Sequence, residues 1–129
     1  MHKIYNPPQI CPPFANYSHA VAASGKMLFL SGQLGVLPDG SLPQSAYAQS
    51  RQCLANINAI LSEAGLSSRH VVHLRSFVTD RRYLADYMRA RDEWVVDLTE
   101  PPASTLIIVS GFARPEMTVE IEATACFDL

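Results

Sequence analysis

Residues 100–125 read EPPASTLIIVSGFARPEMTVEIEATA, and their pattern decides the fold. Pro101-Pro102 closes any helix before it, because proline offers no N–H to a helix ladder and restricts the residue preceding it. The apolar run that follows predicts a strand over 104–110. The alternation in MTVEIEATACF predicts a second over 117–127. Strand side chains point to alternate faces. Met117, Val119, Ile121, Ala123 and Ala125 therefore share one face, and Thr118, Glu120, Glu122, Thr124 and Cys126 share the other. The first face suits packing under helices. The second sets two carboxylates among small residues and leaves two readings open. It is a water-facing surface, or it lines a cavity or subunit interface where a carboxylate is held for acid–base work.

Upstream, the period changes. Cys53, Leu54, Ile57, Ile60, Leu61 and Ala64 recur at helical spacing, which predicts a helix over about 46–64. Gly65 follows where a helix C-terminus wants a residue able to reach positive φ. RHVVHLRSFVT predicts a strand over about 70–78. Asp80 is placed to cap a second helix over about 82–97, whose stripe is Leu84, Tyr87, Met88, Trp94 and Val95. Before the first helix, SHAVAAS and MLFLSG flank Gly25-Lys26 and predict a β-hairpin. A short strand is placed before residue 6, a proline-marked lead-in over 6–16, and a loop over 35–44. Strands and helices alternate in the middle and paired strands flank them. That order predicts an α/β layer structure with two helices on one face of a mixed sheet.

The chain has 129 residues, 48% hydrophobic and 17% charged, which predicts one compact domain over 1–129. So few charges on so small a domain suggest an oligomer that hides surface. A formal net charge of −2 without a Lys/Arg run argues against nucleic acid as a partner. No apolar stretch reads as a signal peptide or a membrane span. Cys11, Cys53 and Cys126 have no metal-type spacing and read as free thiols of a cytoplasmic protein.

Four separated motifs, NYSHAV, LFLSGQLG, SRQCLANINAILSEAGLS and VEIEATA, resemble the RidA/YjgF reactive intermediate deaminase family over essentially the whole chain. The resemblance implies a chorismate-mutase-like α/β fold and a cytoplasmic homotrimer with ligand clefts between subunits. It implies hydrolysis of reactive imines or enamines to oxo compounds and ammonia, without cofactor or metal. It assigns the water-positioning glutamate to Glu120, and places Tyr17, Ser31 and Gly32 around the cleft.

The same match exposes a departure. Family enzymes clamp the substrate carboxylate with an arginine in a P-A-R-[ST] element, which here reads Pro102-Ala103-Ser104-Thr105. A guanidinium gives a bidentate, charge-assisted pair, while serine gives one neutral hydroxyl. Ser104 and Thr105 are therefore expected to offer neutral hydrogen bonds to the ligand. Arg91 sits on the apolar stripe of the second helix and admits two readings. Its stem covers apolar surface with the head in water, or its guanidinium turns into the cleft and supplies the missing charge. Arg114, in a loop, is the other candidate. Met88 stands where many members carry an asparagine.

Two function classes follow: a hydrolase or hydratase of a small imine, enamine or related electrophile, or a non-catalytic ligand-binding or regulatory trimer. An RNA-acting protein is a third reading, disfavoured by the acidic balance. His70 and His73 have metal-like spacing but would point to opposite faces of a strand. His19 reads as a structural histidine, and no glycine cluster fits a phosphate loop.

Overall fold

The structure is a computed structural model, described here for residues 2–128. Its elements in chain order are β1 (Lys3–Tyr5), β2 (Ala20–Ala22), β3 (Met27–Leu34), α1 (Ala46–Glu63), β4 (Val71–Val78), α2 (Leu84–Trp94), β5 (Ala103–Ile108) and β6 (Val119–Cys126). The main sheet has the order β3-β6-β4-β5, in which β4 and β5 run parallel and the other pairs antiparallel. It is the expected mixed sheet.

The two helices pack on one face of that sheet. Cys53, Leu54, Ile57 and Leu61 of α1 are at most 2% exposed and meet Val119, Ile121, Ala123 and Ala125 of β6 in one core. Each aliphatic side chain so buried contributes about 1.5–3 kcal/mol relative to exposure. The period-2 reading of β6 thus holds for its apolar face. Ser45 caps α1 by accepting from the Ala48 N–H. At the other end Gly65 has φ +78°, Leu66 N–H donates to Leu61 O at 2.8 Å, and Gly65 N–H donates to Ser62 O at 3.0 Å. This pair of bonds satisfies carbonyls that the helix end would otherwise leave open.

Two expectations need correction. SHAVAAS and MLFLSG do not form a hairpin: β2 pairs with β1, Ile4 opposite Val21, while β3 pairs with β6. The turn between them closes on the end of β6. Gly25 has φ +108°, and a Cβ there would lie 1.9 Å from an Asp128 carboxylate oxygen. Phe127 N–H donates to Lys26 O, and Cys126 Sγ donates to Ser24 O at 3.0 Å. The β3–β6 ladder pairs six positions and the β1–β2 ladder three, and local sequence carries no trace of that choice. The second helix is also shorter than 82–97. A 3₁₀ turn over Arg81–Tyr83, capped by Asp80 through the Arg82 N–H at 3.0 Å, precedes an α2 that stops at Trp94. Val95 then turns inward and is fully buried.

One buried polar residue ties the loops to the core. Gln49, 1% exposed, donates from Nε2 to Pro43 O (2.9 Å) and Glu116 O (3.0 Å). Its Oε1 accepts from both the N–H and the hydroxyl of Thr118, at 2.9 Å each. All four hydrogen-bonding positions of the amide are used, which is what makes its burial tolerable.

Candidate functional site

Register assigns every strand residue to a face. Leu74, Ser76 and Val78 on β4 lie beside Ser104, Leu106 and Ile108 on β5, and beside Ala123, Ile121 and Val119 on β6; these face the helices. His73, Arg75 and Phe77 lie beside Ala103, Thr105 and Ile107, and beside Thr124, Glu122 and Glu120; these face the uncovered side of the sheet. The residues singled out from sequence fall into two groups on opposite sides.

The first group is on the uncovered side, at the β3–β6 pair. Glu120 stands opposite Leu34 and Phe77 and is half-buried. Its carboxylate lies against Gly32, where a Cβ would be 2.7 Å from Glu120 Cδ and 2.9 Å from Oε2. The β3 register shifts between Leu30 and Gln33, so Ser31 and Gly32 form a bulge beneath the carboxylate. Glycine is required here for close approach. Glu122 takes a different part. It pairs with Arg75 directly across the strands, Nε to Oε1 3.2 Å, both side chains partly in water. Such a pair contributes little to stability. Thr105, on this side too, is exposed. Cys53, in the core under α1, carries a thiol pushed up to about 12 by burial and then by the Glu120 charge, which makes it inert as a nucleophile.

The second group is on the helix side, at the β5 edge. Arg91 does not reach into water: it is 3% exposed. Nη1 donates to Ser104 Oγ at 2.9 Å, and Nε donates to Asp92 Oδ1 at 2.8 Å. The guanidinium lies 5.6 Å from the ring centroids of both Tyr17 and Tyr87. Asp92 Oδ1 also accepts from the Asn16 N–H at 3.3 Å, which draws the segment carrying Tyr17 onto α2. Ser18 fixes that segment further, its N–H donating to Pro102 O and its hydroxyl to Pro101 O. Arg91 and Ser104 therefore meet within one chain. Arg114 instead reaches Gly40 O from its loop, at 3.4 Å.

Tyr87, Ser76 and Asp92 complete this group; sequence placed Tyr87 on the helical stripe but read none of the three as a site residue. Tyr87 precedes Arg91 by one helical turn, and that i, i+4 relation was the available signal. Tyr87, rather than Met88, faces the cluster: its hydroxyl is 2.5 Å from Ser76 Oγ, and both residues are at most 1% exposed. Burial pushes the Tyr87 phenol above its ordinary value, while the Arg91 charge and hydrogen bonds from Ser76 and Ser104 oppose the shift. A phenol harder to ionise in the folded state stabilises the fold below its unfolded value of about 10. That contribution is lost as pH rises through the raised folded value. Tyr87→Phe should cost about 1–3 kcal/mol at neutral pH, because Ser76 loses its buried partner. It should also flatten the fall in stability above pH ~10. Denaturant titrations at several pH values check both; an unchanged alkaline slope would remove Tyr87 from that role.

Within one chain the two groups do not converge. Strand β4 lies between β5 and β6, a separation of about 10 Å across two strand spacings, and the side chains project from opposite faces. Glu120 and Arg91 of the same chain therefore cannot share a ligand. The remaining histidines do not form a metal centre. His70 sits in a 3₁₀ turn with Nδ1 accepting from the Ser67 N–H, while His73 is on the uncovered face. Among the described residues no group of three metal-binding side chains gathers, and no helix is long and apolar enough to cross a membrane.

Comparison with known proteins agrees with this architecture. The family described as Endoribonuclease L-PSP matches residues 9–127. A RutC family protein of Aquifex aeolicus is 31% identical over 118 residues, 90% of this chain and 94% of its own length. The 2-iminobutanoate/2-iminopropanoate deaminase of Escherichia coli is 34% identical over 106 residues, 78% of this chain and 80% of its own. The Rid-family protein YyfB of Yersinia pestis, of unknown function, superposes with a TM-score of 0.86 at 35% identity over 98% of both chains. With the sheet order, the helix placement and the Gly32–Glu120 contact all in place, the chain belongs to the Endoribonuclease L-PSP family, the RidA/YjgF group.

Proposed function

We propose that this protein is a cofactor-free hydrolase of a small imine, enamine or related electrophile, acting in clefts between the subunits of a homotrimer. The observation that carries this reading is the split site. Glu120, with Gly32 beneath it, and the Arg91–Ser104–Tyr17 cluster are on opposite sides of one sheet. A neighbouring copy brings a Glu120 to an Arg91 without distorting either. The exposed apolar side chains support association. Phe29 is 77% exposed on the uncovered face. Phe14, Leu84, Met88, Leu106, Ile107 and Ile108, together with Arg81, line a hollow of about 470 Å³ at the β5 edge. Apolar surface of this kind marks an interface.

The chemistry follows from one base and a set of hydrogen-bond donors. Glu120 takes a proton from a water as its oxygen bonds to the C=N carbon. The C=N electron pair moves to nitrogen, which takes that proton from Glu120 and leaves a neutral carbinolamine. Glu120 then takes the carbinolamine hydroxyl proton and passes it to the amine nitrogen as the C–N bond breaks, releasing a carbonyl and ammonia. Arg91 Nη, Ser104 and Tyr17 hold the far end of the ligand; Ser31, Gly32 and Thr105 shape the wall. The alternative reading, a binding protein of the same fold, draws on the heavy pairing of Arg91 within its own chain. The acidic balance stands against RNA as the ligand.

Subunit mixing tests the split site. Glu120→Gln and Arg91→Met variants, each inactive alone, are unfolded together at equal amounts and refolded. Random assembly gives about one quarter of clefts an intact Glu120 from one chain and an intact Arg91 from another. Ammonia release from an imine generated in situ should recover to about a quarter of wild type. Recovery near zero, with the mixture fully folded, would show that both groups act from one chain or not at all.

A further inference from the structure

We infer that the arginine end of the cleft takes an uncharged amide-like group, a carbonyl beside an N–H, in preference to a free carboxylate. The inference rests on the reading that Arg91 meets a ligand, and it names the class of that ligand. Arg91 is not a free cation. Its Nε–H is on the Asp92 carboxylate at 2.8 Å, so the local charge is already cancelled, and one Nη1–H is spent on Ser104 Oγ. An anionic ligand group would gain a guanidinium but meet the Asp92 carboxylate beside it. It would also meet Glu120 from the neighbouring chain. Like charges in a site shielded from water repel strongly.

What the cluster leaves open is a matched donor and acceptor. Among the described residues, Arg91 Nη2 makes no hydrogen bond within the chain. Asp92 Oδ1 is used twice, by Arg91 and by the Asn16 N–H, whereas Oδ2 has no hydrogen-bond partner among the described residues. The Asp92 side chain is 39% exposed and so reachable. In a planar guanidinium the Nε–H and one Nη2–H lie along the same edge. The open Nη2 donor therefore stands next to the Asp92 carboxylate. A primary amide or ureide fits that edge: its carbonyl oxygen accepts from Nη2, and its N–H donates to Oδ2. A carboxylate has no N–H for Asp92 and leaves that acceptor facing a second anion.

The test compares two isosteric probes, pyruvate and its amide pyruvamide, by calorimetric titration of the full-length protein at pH 7.5 and fixed ionic strength. Pyruvamide should bind roughly tenfold more tightly, the scale of one hydrogen bond to a charged group. Asp92→Asn, which keeps an oxygen for Asn16 and Arg91 but removes the charge, should reverse the order. Pyruvate binding as tightly as the amide to the wild type, or neither probe binding, overturns the inference. If Asp92→Asn fails to fold, the wild-type comparison decides alone. Imine turnover is measured on the same preparation. Amide preference without turnover sinks the hydrolase reading and keeps the ligand class; turnover with carboxylate preference does the opposite.

Discussion

Replacing Glu120 by Gln should lower imine turnover by about 10²–10⁴-fold, the range lost with a general base. The substitution keeps the shape of the side chain over Gly32, so the bulge and the cleft wall remain as they are. What it removes is the carboxylate that lies against that bulge. The neighbouring Glu122 cannot substitute, because it is engaged with Arg75 and is displaced two residues along the strand, about 6–7 Å away. The measurement is ammonia release from an imine produced in situ, at several enzyme concentrations, with binding of pyruvamide followed in parallel. Turnover should collapse while binding changes little, since Glu120 is assigned to water rather than to the far end of the ligand. Full activity in Glu120→Gln would remove the glutamate from the mechanism. If the wild type itself shows no turnover on any small imine, the protein is a binding module.

The largest loss of stability should come from Gln49→Leu, about 2–5 kcal/mol. Leucine has nearly the volume of glutamine, so the effect comes from hydrogen bonding rather than from a cavity. The amide serves four partners in the segments flanking Pro43 and Thr118. Pro43 O and Glu116 O have some access to water, whereas Thr118 and its N–H are buried at the start of β6. A buried N–H without a partner costs its full desolvation, about 1–3 kcal/mol, and the hydroxyl adds to it. The midpoint of thermal unfolding should fall by roughly 10 °C, compared at one protein concentration because association also shifts it. A change below about 1 kcal/mol in denaturant titration would mean that water replaces the amide without loss.

The position of Gln49 shows a limit of reading one chain linearly. It lies on the buried stripe of α1, where a polar residue looks like an interruption of the pattern. Nothing local announces that Thr118, 69 residues away, would present an N–H and a hydroxyl to it. Arg91 is the contrasting case. Its place on the stripe of α2 was visible as periodicity, and burial beside Ser104 follows from that stripe packing on β5. Which side of the sheet it would share was not visible. That depended on the registers of β5 on β4 and of β4 on β6, each set by pairing between distant segments.

By itself, the sequence determined the two helices, the long strands and the apolar face of β6, because periods of 3.6 and 2 are local consequences of backbone geometry. It also carried the motifs that resemble the family's, on which the expectations for Glu120 and Ser104 rest. Tertiary structure alone decided that β3 joins β6 rather than β2 and that Asp92 cancels the charge of Arg91. It alone placed Glu120 and Arg91 on opposite faces. Those outcomes depend on which distant strands pair and in what register. Register is set by the sum of many weak contacts across the sheet, and a one-residue slip would turn every side chain to the other face.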